Sequence, residues 1–176
     1  FCTVSQSGQV FDYLHRSGNV HDSNGATDFV ARCVPEVRAA IPGAKIEIRM
    51  DSAFFSDWMV SCLEGLGVEY TISVPFERFA KLKAMIGGRR RWWPMLGRHS
   101  GTAHFEKSWK PESWARRARF LFIRKKVKVQ TKGPIQPDLF DPVEEGLEYK
   151  VVVTNKKGLA GGVVRFHEGR GSQEKL

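Results

Sequence analysis

Two short runs of strict alternation frame one amphipathic helix, and together they set the architecture this chain must accommodate. In residues 45–50, Ile46, Ile48 and Met50 alternate with Glu47 and Arg49. In residues 68–74, Val68, Tyr70, Ile72 and Val74 alternate with Glu69, Thr71 and Ser73. A period of two marks a strand with one apolar face. Between the runs, Phe55, Trp58, Met59, Cys62, Leu63 and Leu66 recur at helical spacing from a start near Ser56. Gly67 suits the end of that helix, where a left-handed residue is usual. Strand, helix, strand predicts a βαβ unit with parallel neighbours and a right-handed crossover.

The flanking segments extend an α/β pattern. Residues 9–14 read as a strand ending in a turn around Ser17-Gly18-Asn19. A helix capped near Ser23 or Asn24 carries Ala26, Phe29, Val30, Cys33, Val34, Val37 and Ile41 on one stripe. Pro35 inside it removes a backbone donor and predicts a kink. Pro42-Gly43 stops it. A further helix over 76–86 ends at Gly87-Gly88. Strands are expected at 102–109, 117–130 and 147–154, with a proline-punctuated loop before the last. Residues 158–162 read as a loop. The stretch 163–176 reads as a helix interrupted by Gly169 and Gly171. The expected organisation is 1–86 as the first part of a core, 87–146 as a basic β-rich insertion, and 147–176 as a returning strand and helix.

Charge is concentrated in the middle. Residues 87–132 hold 14 Lys/Arg against 2 acids, while the remaining residues hold 14 Lys/Arg and 17 acids. Such a block favours a polyanion, because neutralising phosphates releases condensed counterions. The basic residues are interleaved with Trp92, Trp93, Trp109, Trp114, Phe120 and Phe122. Rings among cations suit distorted or single-stranded nucleic-acid ends, where bases stack on them, and they equally suit the core of a β-rich segment. The three cysteines, Cys2, Cys33 and Cys62, are widely spaced, which fits a reducing cytosol better than a disulfide framework. The histidines and cysteines lack zinc-ligand spacing. Residues 158–162 lack the ending of a phosphate-binding loop, and there is no Gly-x-Ser-x-Gly elbow.

Two acids stand out as chemistry. Asp51 closes a predicted strand, and in open α/β sheets catalytic groups gather at the carboxyl ends of strands. It also fits a plain helix-capping role. On a regular last helix, His167, Arg170 and Glu174 share one face. An imidazole, a guanidinium and a carboxylate can hold a metal and a neighbouring phosphate. Carboxylates suit Mg²⁺, a hard cation that prefers oxygen ligands.

Several blocks, in order, resemble the DDE transposases of bacterial insertion sequences. They are Arg16-Ser17-Gly18-Asn19-Val20-His21, Arg49-Met50-Asp51-Ser52-Ala53-Phe54, Gly67-Val68-Glu69-Tyr70, Val152-Val153-Thr154-Asn155, and His167-Glu168-Gly169-Arg170-Gly171-Ser172-Gln173-Glu174. The resemblance is to the branch with a Tyr-x2-Arg-x3-Glu signature and a β-rich insertion before its final acid. It implies an RNase H-like (retroviral-integrase-like) α/β fold, a mixed sheet with flanking helices. It also implies that Asp51 and Glu174 are the second and third catalytic, metal-binding acids for Mg²⁺ (or Mn²⁺). Arg170 and His167 would contact DNA, with His167 standing where the signature has tyrosine. Arg89, Arg90, Arg91, Trp92, Trp93, Lys125 and Lys126 are the further DNA-binding candidates. The implied partner is double-stranded DNA, at transposon ends and target, bound by a homodimer in the bacterial cytoplasm at the nucleoid. The first aspartate of the family has no match, so the expectation is a partial chain or the product of a broken gene, inactive alone. A DNA-binding remnant without catalysis, and a nuclease of the same fold, are the alternative expectations.

Overall fold

A computed structural model describes residues 1–15, 24–95, 101–127 and 146–169. Its centre is a six-stranded mixed sheet. The strands are β3 (Glu47–Met50), β4 (Glu69–Val74), β5 (Trp93–Pro94), β6 (Thr102–Trp109), β7 (Ala118–Lys126) and β8 (Leu147–Thr154). Their order is β3-β4-β8-β7-β6-β5. β3 and β4 run parallel, with Ile48 opposite Tyr70 and Met50 opposite Ile72, as the alternating runs predict. Every other pairing in this sheet is antiparallel. The middle segment contributes β5, β6 and β7, and these strands continue the same sheet through β8. β1 (Cys2–Thr3) and β2 (Val10–Asp12) form a separate two-stranded hairpin.

Helices cover both faces. α1 (Ala26–Ala40), α2 (Asp57–Gly65) and α3 (Ala80–Gly87) pack on the face bearing Tyr70, Ile72, Val151, Val153, Phe120 and Phe122. α4 (Ala160–Glu168) packs on the other, placing Ala160, Val163 and Val164 against Leu121, Ile123 and Val152. Mixed α/β architecture with a flanked sheet is therefore the fold.

Local chemistry explains most boundaries. Ser56 caps α2, its Oγ accepting from Met59 N at 3.1 Å. The helix ends in a Schellman turn: Gly67 N donates to the Glu64 carbonyl and Val68 N to the Leu63 carbonyl, with Gly67 at φ 63°. α1 runs unbroken through Pro35, and its N-cap is Gly25 rather than Asn24. The segment 76–86 divides into a single 3-10 turn (Phe76–Arg78) and α3. α4 begins at Ala160, so Gly161 and Gly162, expected in a loop, are helical. Trp58, expected on the buried stripe of α2, is 82% exposed.

β8 is joined to β4 by more than its ladder. Asn155 Oδ1 accepts from Tyr70 N at 2.9 Å, and its Nδ2 donates to the Val68 carbonyl at 2.8 Å. Its side chain thus imitates one more strand residue. Thr154 Oγ1 donates to the Tyr70 carbonyl at 2.6 Å. Arg119 grips Glu106 with paired 2.8 Å contacts and also donates to the Lys156 and Gly158 carbonyls. It fixes the turn that leads from β8 into α4.

Candidate functional site

Asp51 lies at the carboxyl end of β3. Its backbone stays extended, at φ −85° and ψ −176°, and its Oδ1 accepts from Ala53 N at 2.9 Å, capping a 3-10 turn (Ser52–Phe54). Capping, one of the two roles read from the sequence, is therefore present. By strand alternation Glu47, Arg49 and Asp51 share a face, while Ile48 and Met50 pack into the core opposite. That shared face is the one α4 covers. Arg49 stands beside Thr71 on β4, and the pairing ends at Met50, the residue before Asp51, opposite Ile72.

α4 meets this face through His167, which is 3% exposed. Its Nδ1 bonds with Thr71 Oγ1 at 3.0 Å and its Nε2 with Ser73 Oγ at 2.9 Å. His167, expected to contact DNA, turns its ring to β4, where it partners the buried Thr71 hydroxyl and the partly buried Ser73 hydroxyl.

The end of α4 is held to β3 by Arg49. Its Nη1 donates to the Phe166 carbonyl at 3.0 Å, and its guanidinium stands 5.1 Å from the centre of the Phe166 ring. Its Nη2 donates to Ser5 Oγ on the N-terminal hairpin. Burial lowers the affinity of Arg49 for its proton, and arginine stays charged regardless. Gly169, which follows α4, lies so close that a Cβ there would overlap Arg49 Nη1. Lys156 Nζ lies 4.3 Å from the centre of the same Phe166 ring. It pairs with Glu47 and, at 2.6 Å, with Glu69. Lys45 adds contacts of 3.4 and 3.1 Å to the same two acids. Lys156, then Lys45, hold the Glu69 carboxyl at about 2.

Arg170 and Glu174 lie outside the described residues. Among the described residues, no three His, Cys, Asp or Glu side chains stand close enough to share a metal ion.

The basic segment divides by face. Trp92 is buried, edge-on to Phe105 at 4.8 Å, with its Nε1 donating to the Arg89 carbonyl. Arg124 lies 4.8 Å from its ring centre. Of the two roles its sequence setting allowed, base stacking and core packing, Trp92 has the second. Trp109 and Trp114 are buried as well, around Phe120. Trp93 is 46% exposed, with Arg91 4.0 Å from its ring centre. Arg89, Arg90, Lys125 and Lys126 are exposed, although Arg89 also leans on the Phe105 ring at 4.7 Å. Lys125 and Lys150 line a cleft of about 120 Å³ that reaches His167 and Glu168 on α4. Sequence reasoning assigned no task to Arg49, Asn155 or Arg119. The one signal for the first was its position two residues before Asp51 on a polar strand face.

No helix among the described residues is long and apolar enough to cross a membrane. Searches for similar proteins found no matching family model, no matching curated protein and no matching solved structure.

Proposed function

We propose that this chain is the catalytic region of a DDE-class transposase, which cuts DNA at transposon ends and joins it to a target. The observation that carries the reading is the meeting of α4 with β3. Arg49 ties the last turn of α4 to the strand that ends, two residues later, in Asp51. Glu174 follows Gly169 by five residues, a span of at most about 18 Å even when fully extended. An acid at a parallel strand's carboxyl end, with a second acid within reach along the chain, suits divalent-cation chemistry on phosphodiesters.

In this reading Asp51 and Glu174 hold Mg²⁺ or Mn²⁺ together with a third acid. Bound ions of this kind activate water and stabilise the attacking and leaving oxygens at phosphorus. Arg170 neutralises a phosphate next to the cut. The exposed Arg89, Arg90, Arg91, Lys125 and Lys126 hold double-stranded DNA, and Trp93 offers a ring to an unpaired base. A homodimer pairs two ends in the bacterial cytoplasm. With two family acids matched, residues 1–176 are expected to bind DNA without cutting it.

The test is Fe²⁺-directed cleavage of the protein backbone. Fe²⁺ takes the place of Mg²⁺, and ascorbate with peroxide generates radicals at the bound ion. Scission near both residue 51 and residue 174, suppressed by excess Mg²⁺ and lost in Asp51→Asn, supports the site. Scission elsewhere, or none, refutes it. Salt-dependent DNA binding without scission at the two acids would favour a DNA-binding protein that does no chemistry.

A further inference from the structure

Cys2 and Cys33 are far apart in sequence, and the fold brings them to one corner. Cys2 pairs with Asp12 across the β1–β2 hairpin. Cys33 is buried on α1, with its Sγ 3.8 Å from Asp12 Oδ2. Both cysteines therefore adjoin one residue, Cys2 from across the hairpin and Cys33 from α1. Arg32, the preceding residue on α1, holds the same Asp12 carboxylate at 2.7 Å. The hairpin is therefore docked on α1 by a cluster that includes two free cysteines. Cys62 lies outside it, with its thiol directed at the Thr27 carbonyl.

We propose that Cys2 and Cys33 form a reversible disulfide site that staples the N-terminal hairpin to α1 under oxidation. The oxidant class is a low-molecular-weight disulfide such as oxidised glutathione. Cys2, the more exposed thiol, attacks one glutathione sulfur, forming a mixed disulfide and releasing one glutathione thiolate. Cys33 then attacks the Cys2 sulfur, closing the protein disulfide and releasing the second glutathione. The two protein thiols lose their protons to the two glutathione thiolates. Two thiols are oxidised and one glutathione disulfide is reduced, so atoms and electrons balance. Burial raises both thiols, Cys33 to about 12, and the Asp12 charge adds to this. Exchange is therefore slow at neutral pH and quickens as pH rises.

The staple has a structural consequence. Arg49 donates to Ser5 of the same hairpin and to the Phe166 carbonyl. Closing the disulfide pins the open end of the hairpin, and Arg49 holds its turn at Ser5, three residues further along. The inference stands apart from the proposed function, since it needs neither metal nor DNA.

The experiment equilibrates the native protein with a series of glutathione redox buffers. Remaining thiols are then alkylated, and the protein is digested without reduction for mass spectrometry. The expected product is a peptide pair linked through Cys2 and Cys33, with Cys62 alkylated throughout. Cys33→Ser should instead accumulate a glutathione adduct on Cys2. In denaturant the preference for this pair over pairs with Cys62 should vanish. Alkylation of all three cysteines at the most oxidising ratio would overturn the proposal. So would linkage dominated by Cys62 or by two chains.

Discussion

One added methyl group tests how firmly the end of α4 rests on β3. Gly169 sits at φ −60° and ψ −6°, a conformation that alanine adopts without strain. At an unobstructed position of that kind, Gly→Ala stabilises by about 0.4–1 kcal/mol by restricting the unfolded chain. Here the new Cβ overlaps Arg49 Nη1, the atom that bonds the Phe166 carbonyl, so that end of the side chain must shift and the bond as it stands is lost. A hydrogen bond from a charged donor contributes about 1.5–3 kcal/mol, and the partly exposed setting favours the low end. Gly169→Ala should therefore destabilise by about 0.5–1 kcal/mol, the lost bond of about 1.5 less the backbone gain. In an Arg49→Ala background the obstruction is gone, and the same change should stabilise by about 0.4–1 kcal/mol. The sign reverses, and the coupling is about 1.5 kcal/mol. Urea unfolding of the wild type, both single variants and the double variant measures it, as midpoint shifts at constant slope. Equal shifts in the two backgrounds, within about 0.5 kcal/mol, would refute the contact and the tether built on it.

Asn155→Ala removes the partners of Tyr70 N and the Val68 carbonyl at once. It should cost about 2–4 kcal/mol in urea unfolding, and a loss below about 0.5 would deny the strand-mimic role. Trp92→Ala should cost about 3–5 kcal/mol of stability, as for other buried tryptophans. Trp93→Ala should leave stability near that of the wild type and weaken binding of single-stranded DNA by about 1–3 kcal/mol, read by fluorescence anisotropy. The reverse pattern would exchange the roles assigned to the two rings. Glu69 has its carboxyl lowered from 4.5 to about 2 by Lys156 and Lys45. A depressed acid adds stability above its unfolded value and loses it as pH falls through the folded one. The gap in melting temperature between wild type and Glu69→Gln should thus be full above about pH 4.5 and close towards about pH 2. For so exposed a network it should correspond to about 1 kcal/mol or less. A gap unchanged across that range would remove the ion pairs from the account.

Elements carried by local periodicity were legible in the sequence. β3, α2 and β4 follow from apolar spacing, and 147–154 matches β8 residue for residue. The start of α4 was hidden, because Gly161-Gly162 carries a helix penalty of about 1 kcal/mol per glycine. Ala160, Val163 and Val164 override that penalty by packing on Leu121, Ile123 and Val152. Trp58 was misplaced because the stripe drawn for α2 spanned too wide an arc, and Met59, Val60 and Leu63 fill the buried side. For the interleaved aromatics the sequence left both a core and a base-stacking role open, and packing divides them. Phe105, Phe120 and Phe122 join the core under α1–α3, while the other face of β7 buries Leu121 and Ile123 under α4 and leaves Lys125 exposed beyond them.

The candidate site was half legible for a reason that lies in the polar face of the βαβ unit. Alternation in β4 reads as one buried face and one wet face. Yet Thr71 is fully buried, and Ser73 is bonded to His167 on the covering helix. A polar strand face can be covered when the covering element brings matching partners, and here α4 and the turn before it do so residue by residue. Glu47 and Glu69 meet Lys156, Arg49 meets the Phe166 carbonyl, and Thr71 and Ser73 meet His167. Composition cannot distinguish such a face from a solvated one, because the matching residues lie some ninety or more positions away along the chain. Asp51 continues the series Glu47, Arg49 at the strand end, so the polar match proposed for it, a divalent cation shared with Glu174, extends a pattern that the rest of the face already follows.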